Sequence, residues 1–262
     1  MKFKLYIFTS LLILSAFLTC SAQTEVNVTD RLGMKQGFWI KKYPQGTKMY
    51  EGYFKDNHPV GEFKRYYETS ILKSMLVYSP DGKEAEAILY HPDGKVASKG
   101  KYINQMKEGK WQFFTADSGG YLISEEYYSK NMKNGPSLKY YRDSAIAEKL
   151  NFVNDIKNGE WVQYYKNGNI WLKSFYANGK LNGKFEAWFE DGKLEFSGQY
   201  KNDSREGTWL IYKNDGSLEY QIEYKNGITN DRKLDIDLSD FMDSLERNKD
   251  KIADPEKTGN MW

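Results

Sequence analysis

From Trp161 to Tyr176, two runs of alternating side chains flank Lys166-Asn167-Gly168-Asn169. Alternation of this kind marks a strand with one buried face. Asn-Gly supplies the two positive-φ residues of a type I′ turn, so the segment predicts a two-residue β-hairpin. In that register Lys166 pairs with Asn169, Tyr164 with Trp171 and Trp161 with Ser174. Trp161, Gln163, Tyr165, Ile170, Leu172, Ser174 and Tyr176 then share one face, and Val162, Tyr164, Trp171, Lys173 and Phe175 the other. A second turn signal, Ala177-Asn178-Gly179-Lys180, ends the hairpin and leads into the next stretch.

The pattern recurs. Units begin at Gly37, Gly61, Ala85, Gly109, Gly135, Gly159, Gly183 and Gly207, each 24 residues after the last except from 109 to 135. The two extra residues there fall in Ala116–Gly120, a predicted loop, where insertions are tolerated. Two residues into each unit stand Trp39, Phe63, Ala87, Trp111, Ser137, Trp161, Phe185 and Trp209. Five residues in come Tyr66, Tyr90, Phe114, Tyr140, Tyr164, Trp188 and Tyr212, with Lys42 in the first unit. Near the end of each second strand are Phe54, Tyr78, Tyr102, Tyr128, Phe152, Tyr176, Tyr200 and Tyr224.

A fixed period of this size means stacked supersecondary units. The fold predicted is all-β: one elongated antiparallel sheet of about sixteen strands, running roughly 75 Å at ~4.8 Å per strand. The faces differ. Ile170, Leu172 and Tyr176, with Leu194, Phe196 and Tyr200 and with Leu218, Tyr220 and Tyr224, place the packed face on the side of Trp161. Lys173, Lys193, Glu195, Glu219 and Glu223 place the wetter face around the Tyr164 column. Residues 23–36 are a lead-in with a short edge strand at Val26 and Val28, and 37–230 hold the eight hairpins. In 231–262 the spacing of Leu238, Phe241, Met242 and Leu245 predicts a helix over Ser239–Ile252, with Ser239 as N-cap, covering the last hairpin's open edge.

Residues 1–22 are a targeting segment: Lys2 and Lys4, then an apolar run over Leu5–Leu18 too short to span a membrane. Cys20-Ser21-Ala22 before Gln23 reads as a small-residue cleavage site, or Cys20 is a lipidated first residue. Either way the protein is exported, to the periplasm or beyond, or anchored through Cys20. Cys20 is the one cysteine of 262 residues, so the mature chain forms no disulfide. Losing two of 38 basic side chains leaves 36, against 36 acidic. A neutral chain with interspersed charge carries no footprint for nucleic acid.

Candidate chemistry is sparse. His58 and His91 fall beside turns with no partner motif. Asp235, Asp237 and Asp240 lack the spacing and glycine of a calcium loop and suit a helix start instead. Glu125 and Glu126 are neighbours in a strand and point to opposite faces. The sequence predicts no enzyme, no metal site and no cofactor. The candidate binding residues are the row Tyr66, Tyr90, Phe114, Tyr140, Tyr164, Trp188 and Tyr212, about 10 Å apart on the polar face. Such rings anchor protein interfaces, or they only stack across strands and steady the sheet.

The pattern Gly-x-Trp-x-x-Tyr-Tyr-x-(Asn/Asp)-Gly followed by Tyr-x-Asn-Gly resembles the bacterial variant of the MORN repeat, from Gly37 to about Asn230. The variant is also found in YwqK-type antitoxin-like proteins. The resemblance implies stacked hairpins and a binding role, with no catalytic residues to carry over. A weaker resemblance is to choline-binding cell-wall repeats, in which rings of adjacent hairpins cage a cation. The reading is an exported, non-catalytic binding or scaffolding module of the cell envelope whose partner is another protein. The alternatives are a module for glycan or lipid headgroup and an antitoxin-like neutraliser.

Overall fold

A computed structural model describes residues 25–117, 119–235 and 238–239 of the chain. The targeting segment with Cys20, and Asp237, Asp240 and the helix expected beyond Ser239, lie outside the described residues. Nineteen strands form one sheet, and every strand pairing is antiparallel. Sixteen are the paired strands of the eight units. The other three are Val28–Thr29 and two short leading pieces, Ile156–Lys157 and Lys180–Leu181, which precede the first strands of units six and seven.

The two kinds of turn are distributed otherwise than the sequence predicts. Type I′ geometry belongs to the turns between units, except after Tyr78, where Pro80 and Asp81 lead to a single left-handed residue, Gly82, with φ of 70°. Asn178 and Gly179 have φ of 51° and 84° between paired Ala177 and Lys180, and Asn202-Asp203 adopts 51° and 69°. Asn and Asp tolerate this conformation because their short side chains bond locally.

The turn within unit six is a three-residue loop. Tyr165 N donates to Asn169 O at 2.8 Å, Gly168 N donates to Tyr165 O at 3.0 Å, and Gly168 has φ of 89°. This is a type I turn closed by a residue in the left-handed region. Tyr164 therefore pairs with Ile170, not Trp171. One step on, an extra residue at Trp171 restores the register, so Trp161 does face Ser174.

The register slips at this same point in all eight hairpins. The slip exchanges two side chains between faces. Ile170 leaves the packed side and is exposed, as is its counterpart Leu218, while Trp171 packs against the core. Glu195, at the position of Trp171, is half-buried, and burial pushes its carboxyl pKa up.

The packed face is otherwise where alternation places it. Trp161, Gln163, Leu172, Ser174 and Tyr176 are all buried. Val162, on the opposite face, is buried as well. Large rings on one strand lie over small residues on the strand before. A Cβ added at Gly198 would come within 2.1 Å of the Trp209 ring, at Gly100 within 2.2 Å of Trp111, and at Gly52 within 2.3 Å of Phe63. Where the ring is missing the size is exchanged: Ala87 faces Leu76, and Ser137 faces Glu126.

Both sheet edges are stitched from unit to unit. Along the edge of inter-unit turns, backbone N–H groups of Lys35, Lys107, Lys133 and Leu181 donate to side-chain oxygens of Asn57, Asn131, Asp155 and Asp203. Along the opposite edge, hydroxyls of Tyr43, Tyr67, Tyr141 and Tyr165 donate to carbonyls of Tyr66, Tyr90, Tyr164 and Trp188, one unit on.

The tail differs from expectation. Residues 232–235 and 238–239 are helical, and the N-cap is Asp231, whose Oδ1 accepts from Leu234 N at 3.2 Å. Ser239 lies inside the helix. Leu234 and the buried Leu238 join the core cluster of Trp209, Ile222 and Tyr224. Arg205 pins the helix start, 2.8 Å from Asp235. The helix start thus packs on the core face of the last unit, and the stretch expected to cover the strand edge lies outside the described residues.

Candidate binding surface

The bulge in each hairpin decides where the predicted ring row sits. Tyr66, Tyr90, Phe114, Tyr140, Tyr164, Trp188 and Tyr212 are the first residues beyond the slip, and all seven are half-buried on the open face. Tyr66 donates its hydroxyl to Glu51 at 2.5 Å, and Tyr140 donates to Glu125 at 3.2 Å. Burial first, and then these carboxylates, raise both phenols to a pKa of about 12. The Tyr66 hydroxyl in turn holds Glu51 below the usual carboxylate range. Glu125 is also lowered: burial alone would raise it, but hydrogen bonds from Gln112 and Lys110 outweigh that.

Lysines lie over the same rings. Lys48 Nζ stands 4.9 Å from the Tyr66 centroid, Lys99 5.3 Å from Phe114 and Lys149 5.3 Å from Tyr164. Four rings of the row, Tyr66, Phe114, Tyr140 and Tyr164, are thus held at the hydroxyl or the face by charged neighbours. Lys193, expected beside it, instead reaches the Asn214 carbonyl at 2.8 Å.

A second row on the open face stands further out. Tyr53, Val77, Tyr127 and Phe175 occupy one register position, opposite Phe38, Glu62, Lys110 and Glu160, and are 50, 49, 38 and 45% exposed. Lys101, Asn151, Gln199 and Glu223 fill the same position elsewhere. The sequence holds this column, and alternation places Phe175 on the polar face. Its prominence depends on the ring row beside it being pulled down.

On the packed face the rings do form cages, and the chain fills them. Lys35 Nζ lies 4.8 Å from both the Trp39 and Phe54 centroids and donates to the Tyr50 hydroxyl at 3.1 Å. Lys107 lies 5.4, 5.3 and 4.6 Å from Trp111, Phe113 and Tyr128. Arg205 covers Trp209 and Tyr224. These cations stand two residues before unit starts, so the cage and its occupant repeat together.

Among the described residues no three His, Cys, Asp or Glu side chains are grouped to hold a metal ion. His58 Nδ1 lies 2.8 Å from its near neighbour Asp56 O. His91 has a definite structural place that its turn setting did not suggest. Its Nε2 lies 3.0 Å from Phe114 O, the position that tyrosine hydroxyls take in other units. Glu125 and Glu126 face opposite sides, as alternation requires.

Residues 83–104, 157–178, 181–202 and 205–226 match the MORN repeat variant. No curated protein matches the chain. Of solved structures, the crystal structure of TcdB2-TccC3-Cdc42 is 13% identical over 71% of this chain and 13% of that chain, at a TM-score of 0.21. The crystal structure of TcdB2-TccC3 is 12% identical over 77% and 15%, at 0.19. The chain spans only a small part of either.

Proposed function

We propose that this chain is an exported, non-catalytic binding module that holds another protein against the open face of its sheet. The observation that carries the reading is the exposed row of Tyr53, Val77, Tyr127 and Phe175 on a face whose other rings are already half-buried. Aromatic side chains fixed on a rigid sheet lose little entropy on binding and contribute a large contact area. Charged neighbours such as Glu62, Lys110 and Glu160 supply the polar rim of such an interface. In this reading the Tyr66–Tyr212 row is the floor of the surface and positions what stands above it. The match of four segments to a repeat variant, together with the targeting segment at 1–22, supports a binding role outside the cytoplasm.

The cages argue against a choline-like ligand, since Lys35, Lys107 and Arg205 already occupy them. The test is capture from an envelope fraction by the wild-type chain and by a Tyr53→Ser, Tyr127→Ser, Phe175→Ser variant. The variant should lose the captured protein while its melting temperature stays within a few degrees, because these side chains stand exposed and Tyr53 gives up one ring contact, with Phe38 at 5.0 Å. Equal capture by both chains, or capture of glycan or anionic lipid alone, would count against the proposal.

A further inference from the structure

The two ends of the sheet are finished differently. At the first strand, Lys35–Lys42, the lead-in fills the outward backbone groups. Asn27 N donates to Phe38 O at 2.9 Å, Asn27 Oδ1 accepts from Ile40 N at 2.8 Å, and Val28–Thr29 pairs with Lys35 and Gln36. At the last strand, Leu218–Tyr224, the matching groups have no strand against them among the described residues.

Which groups these are follows from the repeat. Phe175 O accepts from Asn182 N, and Asn151 O accepts from Asn158 N, each donor standing just before the next unit's first glycine. The equivalent residue in the last unit is Glu223, and by alternation Gln221 also points its N–H and C=O outward. The chain begins a ninth unit in the usual way. Asn226 and Gly227 make the inter-unit turn with φ of 49° and 78°, and Lys225 pairs with Ile228. After that single pair it departs at Asp231 into the helix over the core face. Leu238 thereby joins the core cluster of Trp209, Ile222 and Tyr224, and among the described residues no strand pairs with the outer edge.

An open edge is a template for an added strand. Its charge selects the occupant. Leu218–Tyr224 carries Glu219 and Glu223, both exposed, and no cation. A second copy pairing antiparallel about Gln221 would set Glu219 against the other copy's Glu223, and like charges directly opposite are unfavourable. A strand with Lys or Arg at alternate positions meets complementary charge instead.

We propose that the outer edge of Leu218–Tyr224 is a second docking site, which takes an extended basic segment of a partner protein by strand addition. It extends the binding reading above but uses none of the open-face rings, so each surface can fail without the other.

The probe is an end-capped ten-residue peptide of alternating Lys and Thr, labelled for fluorescence anisotropy against the full chain. It should bind, and alternating Glu and Thr should not. Gln221→Pro removes an N–H that points outward and changes no charge, so the intrachain ladder is kept. It should weaken binding about tenfold or more, as should methylating alternate peptide nitrogens with the protein untouched. Glu219→Lys with Glu223→Lys should do the same. Equal binding by Gln221→Pro or by the methylated peptide would show charge attraction without strand addition and overturn the proposal. So would the absence of any binding, or a wild-type dimer in light scattering that Gln221→Pro makes monomeric.

Discussion

Units four and five differ from units six to eight at identical places in the repeat. The core position that holds Leu172 and Phe196 in units six and seven holds Ser124 and Glu148 in units four and five, and all four are buried. The C-terminal units pack Phe185, Phe196 and Trp209 against one another in a triangle, with centroids 5.8 to 6.3 Å apart. The central units bury two carboxylates. Glu126 accepts from Tyr128 at 2.6 Å and from Lys133 at 3.2 Å. Glu148 accepts from Gln163, Trp161 and Lys139. A repeat position thus specifies a buried place on the sheet, and either rings or polar groups such as the bonded carboxylate of Glu148 can occupy it.

The ring side of that comparison is broken most sharply at Trp209. Trp209→Ala removes a fully buried side chain that touches Phe185, Phe196, Tyr200 and Tyr224. Denaturant melts should show a loss of about 3–5 kcal/mol. At the same register position, Ser137→Ala should cost no more than about 1 kcal/mol, the worth of one hydrogen bond. Equal losses at both sites would mean that the central units depend on something other than their local packing.

The polar side is broken at Lys139. Burial alone would raise the Glu148 carboxyl, but Lys139, Gln163 and Trp161 together hold it below its ordinary value. A depressed folded pKa stabilises above the unfolded value and fades as the pH falls through the folded one. Lys139→Met reverses the balance and leaves a buried charge short of its cation. At pH 7 it should destabilise by about 3 kcal/mol. The deficit should shrink as the pH is lowered toward the ordinary carboxylate range, because protonating Glu148 removes the stranded charge. A deficit that stayed constant between pH 7 and pH 4.5 would assign the loss to packing of the lysine stem.

How legible all this was depends on what a side-chain pattern encodes. Period 24 and alternation gave the strands, the packed face and the Trp161–Ser174 pairing, because each follows from burial along a strand. The turn type did not follow. Asn-Gly suits a two-residue type I′ loop and a three-residue loop equally, and the bulge at Trp171 hides the difference two pairs down the strand. The same bulge put Ile170 and Trp171 on faces opposite to those expected. The second tyrosine of Tyr-Tyr stands in the repeat pattern, but its bond to a carbonyl one unit on needs the backbone that the bulge creates. The candidate ring row was found in sequence because it lacks variation. The more exposed row does not stand out in the sequence, because Lys101, Asn151, Gln199 and Glu223 interrupt it.

The smallest expected effect compares turns in which different residues do one job. Gly168 closes its hairpin tip with φ of 89°, and Ser70 and Ser144 hold the same place in units two and five with φ of 68° and 69°. A side chain in this left-handed region costs about 1–2 kcal/mol that glycine avoids. Glycine returns part of the gain, about 0.4–1 kcal/mol, by loosening the unfolded chain. Ser144→Gly should therefore stabilise by roughly 0.5–1 kcal/mol, and Gly168→Ala should destabilise by a similar amount. Gly168→Val should be worse, on the order of 1–3 kcal/mol, because a β-branched side chain is strained further at positive φ. No atom lies within 4 Å of a Cβ built at Gly168, so crowding does not contribute and the measurement isolates backbone strain. Thermal melts of the three variants would decide the point. Opposite signs for Ser144→Gly and Gly168→Ala support the shared turn geometry, and no change at Gly168→Val would remove it.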